Sequence, residues 1–514
     1  MGVFSKLFKR APRIVTAEIP AKSIRGGYDA ASGGNETKNL WTLASSLDAD
    51  ACNSLAVRRK LRNYSREERN NNGHCAGIIS THTNYIVGTG PKLRVLTQST
   101  GFNQMVETKW EQWCKATRFT AKLRTMCMAK ICDGEAFAIL ADNPNSTDLV
   151  SLDLRLLECD QITAPVMKTD DEQYVDGIRF DGFGNPASYD VLRQHPGSSW
   201  YSSAISTEYD TVPAASMLHW FSDTRPGQHR GIPELASSLS LFGTSRRYRE
   251  AVVAAAETAA DVSAVMEMGM ANEGNDEAAP FTSLPIEKRM MVVSPAGAKM
   301  SQLKAEQPTT TYDMFVRNMI CEEARPLNMP YNIAACDSSG YSFSGGQLDH
   351  QTYFVSVGVE RQDCVLEVLD HAFATWFEQA KWAHGWSVPA SPAPRHGWGW
   401  NKKPQNDPVK TANARKISLS CGAALLSDIY AEDGEDYVDK VARMAIDYGV
   451  TVDEIKAKLF EAVFQKSGGA PAPSKDAGKK SDEPTKAPNG NGDLPTKAGG
   501  NGRLTFHDAT KVYQ

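Results

Sequence analysis

No G-x-x-x-x-G-K-[ST] phosphate loop occurs anywhere in the 514 residues, so the chain carries no signature of an ATP-driven motor in its own right. H-E-x-x-H is missing too, which removes the commonest helical zinc-protease pattern. The ten cysteines (Cys52, Cys75, Cys114, Cys127, Cys132, Cys159, Cys321, Cys336, Cys364 and Cys421) include no C-x-x-C pair, so neither a zinc ribbon nor a redox motif is indicated. Free thiols in a reducing cytoplasm are the expectation. Positive charge is not in excess: 56 Lys and Arg against 61 Asp and Glu leave a net charge of -5 and a pI near 6.1. Any contact with a polyanion is therefore expected to be local. No apolar run approaches the roughly 20 residues that span a bilayer. The first residues, MGVFSKLFKRAPR, lack the apolar core and small-residue cleavage site of a secretory signal. Lys6 stands where a myristoylation pattern wants Ser or Thr. The expectation is a soluble protein with no membrane contact and a flexible N-terminal arm over 1–45.

What is present reads as alternating helical and strand-rich stretches. From Ala51 to about Ile86 the apolar spacing is helical and is interrupted at Asn70, Asn71, Asn72 and Gly73, which predicts two helices and a turn closed by Gly88 and Gly90. FNQMVETKWEQWCKAT and AKLRTMCMAKICDG continue as helix, and EAFAILAD follows as a strand in which Phe137 and Ile139 share a face. Residues 150–222 are mostly short alternating runs between turn residues, with DGFGNPA as a hairpin connection. Gly231 and Pro233 then precede an alanine-rich stretch with no proline before Pro280, which predicts one helix over Glu234–Met268, about 50 Å long. A strand is expected at MMVVSP and a helix over Thr311–Arg325. A long helix with Val355, Val359, Leu366, Leu369, Phe373 and Trp376 at helical spacing follows. Helices are expected again from about Thr411 to Gln465, and a Pro/Gly-rich tail of disordered composition after that.

Residues 336–348, CDSSGYSFSGGQL, come one residue short of the G-x-S-x-G nucleophile elbow, with Ser344 where the last glycine belongs. The stretch joins two predicted helices, whereas an elbow follows a strand, which argues against Ser342 as a nucleophile. A triad of Ser342 with His350 or His371 stays open on spacing alone, because triads are spatial. The remaining histidines are dispersed, and the consecutive Asp170, Asp171 and Glu172 read as solvated carboxylates rather than a metal site. No cofactor is indicated.

The order of motifs resembles the lambda-type portal proteins of tailed bacteriophages over roughly residues 50–450. The residues that carry the resemblance are NNNGHCAGIISTHTNYIVGTG (70–90), DGEAF (133–137), LECDQI with DGIRFDGFGNPASYDVLRQHPG (157–197), VPAASMLHWFSDTRPGQHRGIPELASSL (212–239), LNMPYNIAACDSSGYSFSGG (327–346) and WGWNKKPQNDPVKTANA (398–414). The chain departs from the family in the loop, where an Asn-Tyr-Ser-Ser-like run is usual and Gly340–Tyr341–Ser342–Phe343–Ser344 stands here.

The resemblance implies an α+β, portal-type subunit with an α/β wing, long stem helices, a small clip and a helical crown, forming a ring of twelve subunits. Implied boundaries are a wing over 46–232, a stem helix over 233–268, a clip over 269–305, a second stem helix over 306–328, a tunnel loop over 329–346, a long helix returning to the wing over 347–400, a crown over 401–466 and a disordered tail over 467–514. It implies a structural, non-enzymatic role at one vertex of a virion head, assembled in the host cytoplasm, with double-stranded DNA passing through the channel. Its implied partners are further copies of itself, a terminase motor, the major capsid or scaffold protein and a head–tail connector protein. The implied channel-facing residues are Asp337, Ser338, Ser339, Gly340, Tyr341, Ser342 and Ser344. No Lys or Arg lies between Arg325 and Arg361, as suits a channel that must not grip phosphates. The alternatives are a serine hydrolase built on Ser342 and a monomeric scaffold or nucleic-acid-binding protein.

Overall fold

The computed structural model describes residues 44–165, 171, 173–198, 208–260, 264–268, 298–302, 311–386, 393–400, 408–432 and 437–464. Local chemistry explains the first elements. Asp48 accepts from Ala51 N at 2.7 Å and starts α1 (Ala49–Cys52). The asparagine run does break the next helical stretch: between α2 (Leu55–Asn71) and α3 (Gly73–Ile86), Asn72 is extended and its side chain accepts from His74 N at 3.1 Å, capping α3. The chain then turns through Gly88 (φ 54°) and Gly90 (φ 102°) into β1 (Lys92–Val95). A Cβ on Gly90 would meet Thr120 Oγ1 at 2.5 Å, so both backbone conformation and space require glycine there.

Ser99 caps α4 (Thr100–Ala116), and α5 (Phe119–Asp133) stops at Gly134, whose φ of 93° is a left-handed helix end. β2 (Glu135–Asp142) follows at once as the centre of an antiparallel sheet, between β3 (Leu152–Leu157) and β8 (Met217–Phe221). It is buried on both faces. Ala136, Ala138 and Leu140 join the main core, while Phe137 packs with Ile139 into a second core containing Phe180, Tyr189 and Met217, which is the alternation the sequence suggests. A second antiparallel sheet orders β4 (Tyr174–Val175), β5 (Ile178–Phe180), β6 (Pro186–Leu192) and β7 (Tyr209–Pro213). The DGFGN hairpin forms as expected: the Asp181 carboxylate accepts from Phe183 N and Asn185 N, and Gly184 supplies φ 86°.

The long alanine-rich helix is shorter than predicted. It runs as α6 (Leu239–Ala260), 22 residues or about 33 Å, after a 3-10 turn at Ala236–Ser238. Ala264–Met268, expected as its last turns, is instead β9, paired antiparallel with β10 (Ala298–Gln302) from Ala298 opposite Met268 to Gln302 opposite Ala264. A ladder to a strand some 30 residues away overrides the local helix propensity of the alanines. The expected strand at MMVVSP lies outside the described residues, as do the N-terminal arm through residue 43 and the tail from 465.

α7 (Tyr312–Ala324) ends in a 3-10 turn at Arg325–Leu327 with Asn328 left-handed (φ 52°), and α8 (Tyr331–Ala334) is a single turn. α9 (Phe343–Cys364) continues through a π turn at Val365–Leu369 into α10 (Asp370–Ala383). β11 (His396–Gly399), from the Trp-rich segment, pairs with β1. The main core gathers α3, α4, α5, β2 and this long helical path around Trp110, Trp113, Phe119, Phe373 and Trp376. Trp110 meets Phe373 edge-on at 5.5 Å and Trp376 at 5.2 Å. Of the apolar series on the long helix, Leu369, Phe373 and Trp376 are buried, whereas Val355, Val359 and Leu366 are exposed. Then come α11 (Pro408–Ser420), α12 (Leu426–Glu432) and α13 (Tyr437–Tyr448). The chain divides into two units after Val452. At that division α14 (Val452–Phe464) begins, with Asp453 and Glu454 in its first turn, where carboxylates suit the helix dipole. Helices and antiparallel strands in separate stretches make this a mixed α+β protein.

Candidate functional site

The serine-rich stretch is anchored at both ends and exposed between them. Ile333 and Ala334 of α8 are buried in the main core, and Cys336 turns the chain with φ 53°. Asp337 Oδ1 then accepts from Ser339 N at 2.8 Å, Tyr341 N donates to Ser338 O at 3.2 Å, and Gly340 takes φ 76°. Ser342 answers the question raised by the near-elbow pattern. Its side-chain oxygen accepts from Gly345 N at 3.2 Å and its carbonyl from Gly346 N at 3.0 Å, so it is the N-cap of α9. The expected loop over 329–346 therefore contracts to residues 335–342, with α8 before it and Ser344 in the first turn of α9. Neither histidine reaches the hydroxyl: His350 Nε2 bonds Asn332 Nδ2 at 3.0 Å, and His371 Nε2 bonds Ala215 O at 2.8 Å.

Ser338, Ser339, Gly340 and Ser342 are exposed. Hydrogen bonds from Ser339 hold the Asp337 carboxyl below its ordinary range, so it is ionised at neutral pH. The loop contains no cation, but one stands beside it. The Arg317 guanidinium of α7 lies 4.6 Å from the Tyr331 ring at the start of α8 and 5.5 Å from the Tyr341 ring near the end of the loop. Nothing in the local sequence signals that contact, because Arg317 is 24 positions from Tyr341.

Three of the motif stretches, 133–137, 157–197 and 212–239, meet elsewhere, at a buried ion cluster. Arg58, Arg62 and Arg66 recur every fourth residue along α2, a spacing that ordinarily marks a solvated face. Here Arg58 and Arg62 are buried and Arg66 half-buried. Arg58 pairs with Asp176 of DGIRF, and Arg62 with Glu135 of DGEAF. Arg66 meets Asp133 at 2.8 Å and Asp160 of LECDQI at 2.7 Å. Arg230 of HRGIP donates to both Glu135 oxygens at 2.6–3.1 Å, to Asp176 at 3.1 Å and to Ile162 O at 3.1 Å. His219, in SMLHWF, lies 3.2 Å from Glu135 and is stacked between Phe137 and Phe221. Burial alone would raise the Glu135 carboxyl, yet the Arg230 and Arg62 charges hold it well below the usual range. Two glycines permit this approach: a Cβ on Gly231 would sit 2.1 Å from Gly134 O, and one on Gly134 would sit 2.4 Å from the Ile232 carbonyl carbon. These motif residues thus fix the two sheets onto α2.

Near the cluster's rim, Glu158, Asp160 and His195 lie close enough to share a cation. Arg66 already stands 2.7 Å from Asp160 and 4.0 Å from Glu158, so a guanidinium supplies the positive charge there. Of the consecutive carboxylates Asp170, Asp171 and Glu172, only Asp171 is among the described residues, and it accepts from Gln173 N within its own turn.

The sequence profile of one protein family, described as phage portal protein, lambda family, matches residues 34–352. Among solved structures, one described as the virion of a native gene transfer agent particle is similar at 12% identity, covering 74% of this chain and 93% of that one, with a TM-score of 0.41. The neck of an empty particle of this kind, computed with C6 symmetry, is similar at 12% identity over 73% and 94%, TM-score 0.43. The neck of a native particle computed with C12 symmetry follows at 13% identity over 62% and 80%, TM-score 0.35. No curated protein matches the chain. The family match takes in α2 through the start of α9, the ion cluster and the whole of loop 335–342, and covers more than half of the sequence: the chain belongs to the lambda family of phage portal proteins.

Proposed function

We propose that this chain is the subunit of a portal ring, with twelve copies in the assembled particle, standing at one vertex of a phage head and conducting double-stranded DNA during packaging and ejection. In this assignment residues 46–232 are the wing, α6 and α7 the stem, 269–305 the clip, and 335–342 with Ser344 the channel-facing tunnel. α9 and α10 form the long helix and 401–466 the crown. A terminase motor and a head–tail connector dock on the ring, and capsid or scaffold protein surrounds it.

The observation that carries the assembly is an apolar stripe on α9 and the π turn after it. Leu348, Val355, Val359 and Leu366 are seven, four and seven residues apart, which keeps them within about 20° of one face at 3.6 residues per turn. They are 65%, 70%, 57% and 59% exposed. Covering each would contribute roughly 1–2 kcal/mol, and a neighbouring copy in a closed ring repeats that gain at every interface. The loop suits a channel: it offers small hydroxyl side chains and one carboxylate to a passing duplex, with no Lys or Arg of its own to hold phosphates.

Val355→Asp with Val359→Asp tests the assignment. Mass photometry of the unaltered chain is expected to give a species many times 56.2 kDa, and of the double variant a species near the single-chain mass with unchanged circular dichroism. Rings that persist in the double variant would remove α9 from the subunit interface.

A further inference from the structure

A cleft of about 770 Å³ opens between β1, the corner where α4 passes into α5, and α13. Its charge is one-sided. β1 contributes Lys92 and Arg94, and the α4–α5 corner contributes Lys115, Arg118 and Arg124. α13 adds Lys440 and Arg443. Against these seven cations stand two carboxylates, Glu107 and Glu111, an excess of five positive charges on a chain whose net charge is -5. Glu111 takes up Lys92 at 3.3 Å and Lys115 at 3.0 Å. Among the described residues no ion pair takes up Arg118 or Arg443, and both are exposed.

The corner is shaped to present these charges. Arg118 has φ 55°, a left-handed conformation that costs a non-glycine residue on the order of 1 kcal/mol, and it stands at the N-cap of α5. α5 has neither a capping side chain nor an acid in its first turn, so its positive end reinforces the field of the cleft.

The apolar lining identifies the class of ligand. Trp110, Phe119 and Leu93 are 3%, 2% and 5% exposed, so they offer neither the apolar anchors of a protein–protein interface nor ring faces on which bases could stack. Charge remains, foremost in the exposed Arg118 and Arg443 guanidiniums, whose geometry suits phosphate oxygens. We infer that this cleft binds the phosphodiester backbone of double-stranded DNA without regard to sequence, at a place built from different elements than loop 335–342. The inference rests on the portal assignment only for which polyanion is at hand. It makes the subunit two-sided toward DNA, with a loop that lets the duplex slide and a separate cleft that holds it.

The test is fluorescence anisotropy with two unrelated labelled duplexes across 50–200 mM salt, on the unaltered chain and on Arg118→Gly/Arg443→Ala. Glycine suits φ 55°, so Arg118→Gly deletes the charge without adding strain. Losing two phosphate contacts is expected to weaken both duplexes alike and to lower the slope of log affinity against log salt by about 2. An unchanged slope would overturn the inference, and so would poly-glutamate of matched charge binding as tightly as the duplex, which would give the cleft to an acidic protein segment. Mass photometry of the same samples reports the ring separately, and the comparison holds in either assembly state, so failure of the cleft and failure of the portal assignment are distinguishable.

Discussion

Replacing Glu135 by Gln keeps the size of the side chain and removes one charge from the centre of the ion cluster. The carboxylate is fully buried and accepts from Arg62, from Arg230 through Nε and Nη2, and from Gly231 N at 3.1 Å. An amide can accept at only one oxygen, and its NH₂ would face a guanidinium, donor against donor. Breaking a buried pair from one side costs about 3–5 kcal/mol, because the partner's charge stays buried without compensation. Arg230 keeps Asp176 at 3.1 Å and Arg62 keeps Asp160 at 3.4 Å, which places the expected loss at the lower end, about 3 kcal/mol. That is a large share of the 5–15 kcal/mol typical of a folded protein. Urea unfolding followed by the fluorescence of the core tryptophans would read it as a lowered midpoint with an unchanged slope. A loss below about 1 kcal/mol would refute the claim that the cluster is dry and mutually dependent.

Two further outcomes are expected. Burial lowers the pKa of His82, which bonds Tyr353 Oη at 2.8 Å, to about 4. The unfolded chain therefore takes up its proton first, and the stability is complete above about pH 6.5 and lost progressively toward pH 4. At pH 5 the loss is about 2 kcal/mol relative to neutral pH, and His82→Gln, which does not titrate, should flatten that part of the pH profile measured by urea midpoints. Excising Ser338–Tyr341 while keeping the Ser342 cap should leave ring mass unchanged and impair DNA packaging or retention; loss of the ring would make the loop an interface element.

Much of the fold was legible where the deciding chemistry is local. Asn72 breaks α2 from α3 because its side chain caps the next helix, and Asp181 with Gly184 makes the hairpin within five residues. Legibility failed where distant partners decide. The alanines before Ala264 read as continuing helix, and only pairing with Ala298–Gln302 makes a strand of the following residues. The arginines at 58, 62 and 66 have the spacing of a solvated helix face, and carboxylates from three separate segments make the first two a buried one. In the candidate loop the sequence showed the missing cation and the missing elbow glycine, while the capping role of Ser342 and the nearness of Arg317 needed the helix start and the packing of α7. The basic cleft was hidden for a related reason: its cations are spread from Lys92 to Arg443 through a chain of net negative charge.

The central claim is that identical copies of this chain close into a ring around an open channel. Negative-stain electron microscopy of the purified protein tests it most directly. Rings with a central hole, lost on Val355→Asp/Val359→Asp, are the predicted result; single particles of about the 56.2 kDa chain at every concentration would contradict it.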